Sequence, residues 1–260
     1  MTNDSQITQI FAKVEQTLIA NGNLAKDARA AGRKEHKRLL SKFLTCNDNV
    51  FYRKLALIVF YSGFRASVVE QKSSTILKYF RNYRKVAEYS RTDVSRILSD
   101  RKMIRNESKI RALLYNAKVF KEIVSEYHSF RKFMLSFNPK FPLLIEGLDD
   151  LRTVLMRRLK YLGPATVNHY LTDFAFPVLK PDRMIMRVMH RAHLTKGEGK
   201  SEYKTAIAIG YRIAALNRLP MRYVDSVFVM LGQVGEANIC RKTKPKCDIC
   251  LLERTCHFYR

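Results

Sequence analysis

Apolar residues recur along this chain at intervals of three and four, and almost nowhere at intervals of two. From Asn106 to Tyr127 the residues Ile110, Leu113, Leu114, Ala117, Phe120, Ile123, Val124 and Tyr127 fall on one stripe of a helix. Asn106 suits its N-cap, and Glu107 suits the positive end of the helix dipole. The stretch Phe51–Phe64 is apolar almost all round, as a central buried helix would be, with Gly63 placed to stop it. Further helices are expected over Leu148–Leu159, Thr166–Phe176, Asp182–Ala192 and Tyr223–Gly235. Exposed loops are expected at Phe137–Pro142 and Gly197–Tyr203. With only 10 Gly and 7 Pro, the pattern predicts an all-α protein with short joints.

Composition narrows the class. The 260 residues suffice for one large core or two small lobes. The longest apolar run, Leu55–Tyr61, is far too short to span a bilayer, and the polar N-terminus is unlike a signal peptide. A soluble cytoplasmic protein that does not engage membranes is the expectation, nucleoid-associated if the source is bacterial. Lys and Arg number 48 against 23 Asp and Glu, a net charge of +25. Such an excess costs self-repulsion unless a polyanion offsets it, and neutralised phosphates release counterions. Nucleic acid is therefore the expected partner. Lys26, Arg29, Arg33, Lys34, Lys37, Arg38 and Lys42 form a basic run near the N-terminus, which is either a solvated face or a face toward DNA.

Four of the five cysteines crowd into the tail: Cys240, Cys247, Cys250 and Cys256, spaced C-x6-C-x2-C-x5-C. Disulfides are disfavoured without secretory features. Structural zinc usually pairs two short knuckles, and only Cys247–Cys250 makes one. An iron–sulfur cluster takes four thiolates around a larger core and suits wider loops. The intervening Arg241, Lys242, Lys244 and Lys246 can offset a cluster's negative charge and reach phosphates. Cys46 stands apart and is expected to be a buried small hydrophobe.

This spacing, with "RKTKPK" and "LLERT" between the cysteines, resembles the [4Fe–4S] loop of endonuclease III-like and MutY-like enzymes of the helix-hairpin-helix DNA glycosylase superfamily. Upstream, Leu159-Lys160-Tyr161-Leu162-Gly163 followed by Pro164 and Thr166 resembles the superfamily's hairpin, and Asp182 falls where its catalytic Asp opens a helix. The hairpin carries Tyr161 where its first Gly is usual; that form, and the segment Asp93–Phe120, are similar to the 3-methyladenine DNA glycosylase I branch. The likeness spans roughly Phe51 to Cys256.

The resemblance implies a two-lobe, all-α helix-hairpin-helix fold with a C-terminal cluster loop. Residues 1–44 would be N-terminal helices on the cluster lobe. Residues 45–177 would form the helical barrel, with the hairpin at 159–166. Residues 178–260 would form the cluster lobe, with the [4Fe–4S] loop at 240–256 and zinc as the alternative metal. DNA would lie across the cleft between the lobes. The implied activity is excision of a damaged or modified base, flipped from duplex DNA, by hydrolysis of its N-glycosidic bond. Asp182 would be the catalytic carboxylate beneath an oxocarbenium-like sugar. Lys160, Tyr161 and Gly163 would meet phosphate at the hairpin. Phe64 would be the wedge filling the emptied stack, with Arg65 beside it, and Arg241, Lys242 and Lys244 would grip the backbone.

Bifunctional members place a Schiff-base lysine in the hairpin helix; here that position is Ala165, which implies a monofunctional enzyme. The base-reading carboxylate and stacking Trp of the 3-methyladenine branch fall on Ile58 and Ala66, so that pocket is not reproduced. The partner implied is double-stranded DNA with a modified or mismatched base, bound by a monomer. A glycosylase/AP lyase using another Lys, and a non-catalytic iron–sulfur DNA-binding protein, stand as the alternatives.

Overall fold

The computed structural model describes residues 3–137, 147–233 and 236–259. Apart from Phe137, the loop expected at Phe137–Pro142 lies outside the described residues, as do Val234 and Gly235 of the helix expected at 223–235. The described residues are helical with no strand, so the all-α expectation holds. No helix is long and apolar enough to cross a membrane. The chain divides into two compact units: Ser41–Phe174, and Met1–Leu40 together with Ala175–Arg260.

The helices, in chain order, are α1 (Asp4–Ala20), α2 (Ala28–Thr45), α3 (Asp48–Tyr61), α4 (Ala66–Phe80), α5 (Tyr83–Ala87), α6 (Arg91–Ser99), α7 (Glu107–Tyr127), α8 (Phe130–Phe137), α9 (Leu148–Arg158), α10 (Pro164–Thr172), α11 (Arg183–Arg191), α12 (Tyr203–Asn217) and α13 (Met221–Gly232).

In the unit 41–174, α3 is the central helix, and none of its residues from Phe51 to Tyr61 is fully exposed. Around it lies an aromatic core in which Phe120 stacks on Phe130 at 4.0 Å and Phe51 meets Phe174 at 4.5 Å. Each such ring contributes roughly 1.5–3 kcal/mol by leaving water. The two buried tyrosines satisfy their hydroxyls on backbone: Tyr52 donates to Leu113 O and Tyr170 to Phe51 O. The helix stops at Tyr61, and Gly63 then turns the chain with φ +90, a conformation that favours glycine. On α7 the expected stripe is buried at Ile110, Leu113, Ala117, Phe120 and Ile123, and Asn106 caps the helix through Lys109 N–H. Cys46 is half-buried rather than buried, and desolvation pushes its thiol up.

In the other unit, α1 presents Ile7, Phe11, Val14 and Leu18 to a core shared with α11, α12 and α13. Helix α2 approaches α13 closely at Gly32, where a Cβ would lie 2.5 Å from the Tyr223 ring. An ion pair between buried Glu15 and the partly exposed Arg29 sits beside that contact. Glu15 accepts from Arg29 Nε at 3.0 Å and from Tyr223 Oη at 2.8 Å, so its desolvated carboxylate is fully partnered.

Candidate active site

Asp182 is the N-cap of α11, with extended backbone at φ −87 and ψ 174. Its Oδ1 accepts from Met184 N–H at 2.9 Å and Ile185 N–H at 3.0 Å, two amides that the helix start leaves without partners. Its Oδ2 meets Lys180 Nζ at 2.9 Å. The carboxylate is thus held at both oxygens and stays partly accessible. Behind it, Asp225 on α13 accepts from Lys180 N–H at 2.7 Å. Burial raises the Asp225 carboxyl to about 6, while the Lys180 amide and ammonium act in the opposite direction. From sequence Lys180 is expected to meet phosphate or solvent; it pairs with Asp182 instead, and Asp225 is not singled out by the sequence. An acid on an otherwise apolar helix, in "YVDSVFVML", was the available signal for Asp225.

The same α11 organises the cysteine tail. Arg187 and Arg191, one turn apart and both buried, point to the segment that follows α13. Arg187 donates to Gly232 O at 2.8 Å and Cys240 O at 2.9 Å. Arg191 donates to Arg241 O at 2.6 Å and Lys242 O at 3.0 Å, with Nη1 3.5 Å from Cys240 Sγ. Its guanidinium also lies 4.2 Å from the Phe258 ring centroid. From the N-terminal side, Thr17 Oγ1 accepts from Leu251 N–H and Asn21 donates to Ile249 O. The thiols of Cys240, Cys247 and Cys250 are all pushed up, first by burial and also by one another; Cys250 reaches about 11. Lys242 and Lys244 are exposed, whereas Arg241 is half-buried and donates to Asn238 O at 3.1 Å.

The unit 41–174 carries the other predicted residues. Asn116, fully buried on α7, clamps the hairpin by accepting from Lys160 N–H at 2.8 Å and donating to Lys160 O at 3.1 Å. The Lys160 ammonium lies 4.3 Å from the Tyr115 ring centroid. Tyr161 has φ +66, which explains the usual Gly at this position: the turn needs the left-handed region. Its ring is exposed at 37%, and its hydroxyl donates to Ser108 Oγ at 3.0 Å. Gly163 N–H is taken by Thr166 Oγ1 at 2.7 Å; the next amides, of Ala165 and Thr166, open the first turn of α10. Phe64 is half-buried and Arg65 exposed, in the joint between α3 and α4. Ile58 is buried within α3, and Ala66 opens α4. Tyr61 and His169 bring their rings to 5.5 Å, and Lys54 pairs with Asp173 at 3.2 Å.

Comparison with known proteins bears on the fold. Residues 41–157 match the methyladenine glycosylase family model. None of the curated proteins matches the chain. Among solved structures, the 8-oxoguanine DNA glycosylase of Thermotoga maritima aligns over 86% of this chain and 96% of its own, at 13% identity and a TM-score of 0.57. A 3-methyladenine DNA glycosylase I from Staphylococcus aureus aligns over 49% of this chain and 76% of its own, at 24% identity and a TM-score of 0.43. The chain shares the all-α fold of that 8-oxoguanine DNA glycosylase, and its residues 41–157 match the methyladenine glycosylase family model.

Proposed function

We propose that this chain is a monofunctional DNA glycosylase that hydrolyses the N-glycosidic bond of a damaged or modified base in double-stranded DNA, acting as a monomer in the cytoplasm. The observation that carries the reading is the fixed Asp182 carboxylate. Two α11 amides and Lys180 hold it in one orientation, so it reorganises little when positive charge develops on a sugar. In that role it stabilises the oxocarbenium-like centre, and it takes a proton from the water that adds there. The hairpin amides and Lys160 bind phosphate, Phe64 fills the vacated stack, and Arg65, Arg241, Lys242 and Lys244 neutralise backbone charge.

Lyase chemistry is not part of the reading. Ala165 supplies no amine in the hairpin helix. The amine nearest the carboxylate, Lys180, is engaged by Asp182 Oδ2. Borohydride trapping is expected to yield no covalent DNA adduct.

The four tail cysteines fit a [4Fe–4S] cluster as ligands. The Cys247 and Cys250 thiols are raised partly by neighbouring thiols, a repulsion that bound cations would remove. The C-x6-C-x2-C-x5-C spacing, with a single short knuckle at Cys247–Cys250, suits a larger core better than the paired knuckles of structural zinc. Such a group would supply a structural cross-link of the tail. Iron and acid-labile sulfide near four each per chain are expected, with stoichiometric zinc as the contrary result.

The decisive test of the activity is Asp182→Asn. Single-turnover excision on a panel of modified-base duplexes, read by alkali cleavage at abasic sites, is expected to fall by about 10²–10³. Duplex affinity should hold within a few-fold. Unchanged turnover would remove Asp182 from the chemistry.

A further inference from the structure

We propose that Lys109 is a positioning residue that sets the wedge Phe64 and the hairpin Tyr161 as one DNA-entering element, an inference that rests on the base-excision reading above. Lys109 lies in the first turn of α7 and is only 4% exposed, an unusual place for an ammonium. Among the described residues no carboxylate pairs with it. Its Nζ donates instead to Val59 O and Ser62 O, each at 2.5 Å, where α3 ends. Those are carbonyls of a helix C-terminus, which lack intrahelical donors and carry the negative end of the dipole.

The same ammonium lies 4.2 Å from the Tyr161 ring centroid and 5.8 Å from that of Phe64. One cation therefore touches the end of α3, the joint carrying the wedge, and the hairpin. Burial lowers its pKa to about 8, the mark of a charge held without an anion.

Tyr161 supplies the reason such a residue is needed. A side chain at φ +66 costs about 1–2 kcal/mol and persists only where its surroundings over-determine it. Lys109 under the ring and Ser108 on its hydroxyl provide that restraint from adjacent positions of α7. The hairpin can thus carry an aromatic where glycine is usual, and the aromatic is braced by the group that fixes the joint before α4. A wedge and a phosphate grip braced together enter DNA in register, whereas independently mobile ones would pay ordering entropy on binding.

The test uses the full-length chain with Lys109→Met, and Lys109→Gln as a second variant that keeps a neutral donor for the two carbonyls. Three quantities are read: affinity for undamaged duplex, 2-aminopurine fluorescence reporting unstacking, and single-turnover excision. Expected is a loss of unstacking amplitude and excision of about tenfold or more in a folded variant, with affinity for undamaged duplex within about threefold. In a double-mutant cycle with Phe64→Ala the losses should not add. Additive losses, or unstacking equal to wild type in either folded variant, would overturn the proposal.

The outcomes separate this idea from the activity it rests on. Wild-type unstacking without excision, abolished by Lys109→Gln, supports the positioning role and removes the glycosylase reading. Excision undiminished in the variants does the reverse. A wild-type chain that unstacks no duplex overturns both.

Discussion

The two units hold their candidate chemistry by different means. In the unit 41–174, the residues assigned to DNA contact are braced by neutral side chains and one buried ammonium: Asn116 on both polar groups of Lys160, Ser108 on Tyr161, and Lys109 on two carbonyls and two rings. In the other unit, charges fix the site: Lys180 on Asp182, Asp225 on the Lys180 amide, and the buried Arg187 and Arg191 on the cysteine segment. The family-model match follows the same division. It covers 41–157 and stops before the hairpin, Asp182 and the cysteines. The comparison teaches that the hairpin region can be braced by neutral partners and one cation on carbonyls and rings, whereas Asp182 is held by an opposite charge and the cysteine segment by buried guanidiniums.

The strongest way to break this contrast is Arg191→Met. The substitution preserves a long apolar side chain but leaves Arg241 O and Lys242 O without their donor, and Cys240 loses its cationic neighbour. A loss of about 3–5 kcal/mol is expected in denaturant unfolding, because two charge-assisted bonds to part-buried carbonyls are removed at once. Iron content should fall with it. Affinity of the hairpin for undamaged duplex, read at saturating protein, is expected to persist. Retained iron and stability would show that the arginine face of α11 is incidental.

Asn116→Leu probes the other side. It fills a similar volume, yet deprives Lys160 N–H and C=O of their partner in a half-buried turn. About 2–3 kcal/mol of stability should be lost, with several-fold weaker duplex binding and a normal iron content. Paired with Arg191→Met, it separates hairpin from tail. If both variants lose iron, or both lose DNA binding alike, the division of labour fails.

How much was legible beforehand follows the same physics. The stripe on α7, its Asn106 cap and the stop near Gly63 were readable because burial and capping are local and periodic. The arginines of "RMIMRVMHR" were also visible at i, i+4 spacing, but spacing cannot tell a solvated face from one buried against a later loop. Arg187 and Arg191 meet residues some fifty positions away, and nothing local announces the partner. The N-terminal stretch carried no motif, yet Thr17 and Asn21 bond the cysteine segment more than two hundred positions on. Lys109 and Asn116 were hidden for a third reason. Each is one polar residue on an amphipathic helix, and sequence assigns such residues to solvent unless a partner is known.

The smallest expected effect is the most diagnostic of charge, because it has a sign that depends on pH. Asp225 titrates near 6 when folded, against an ordinary carboxyl near 3.8. Between those values the folded chain keeps a proton that the unfolded chain releases. Raising the pH through this window therefore removes stability, and above about 6 the cost of the buried anion is constant. Asp225→Asn has no proton to lose, and its amide oxygen can still accept from Lys180 N–H. The variant should match wild type near pH 4 and exceed it by on the order of 2 kcal/mol at pH 8, measured as the difference between two denaturant series. Excision should survive within a few-fold, since the Lys180 amide keeps its acceptor and Asp182 its own partners. A variant that is less stable at pH 8 would mean that the Asp225 anion is compensated by Lys180 and Arg222 more fully than its raised pKa implies. In that case the charged unit would be braced by a complete network rather than by one strained carboxylate, and its tolerance to substitution would approach that of the hairpin.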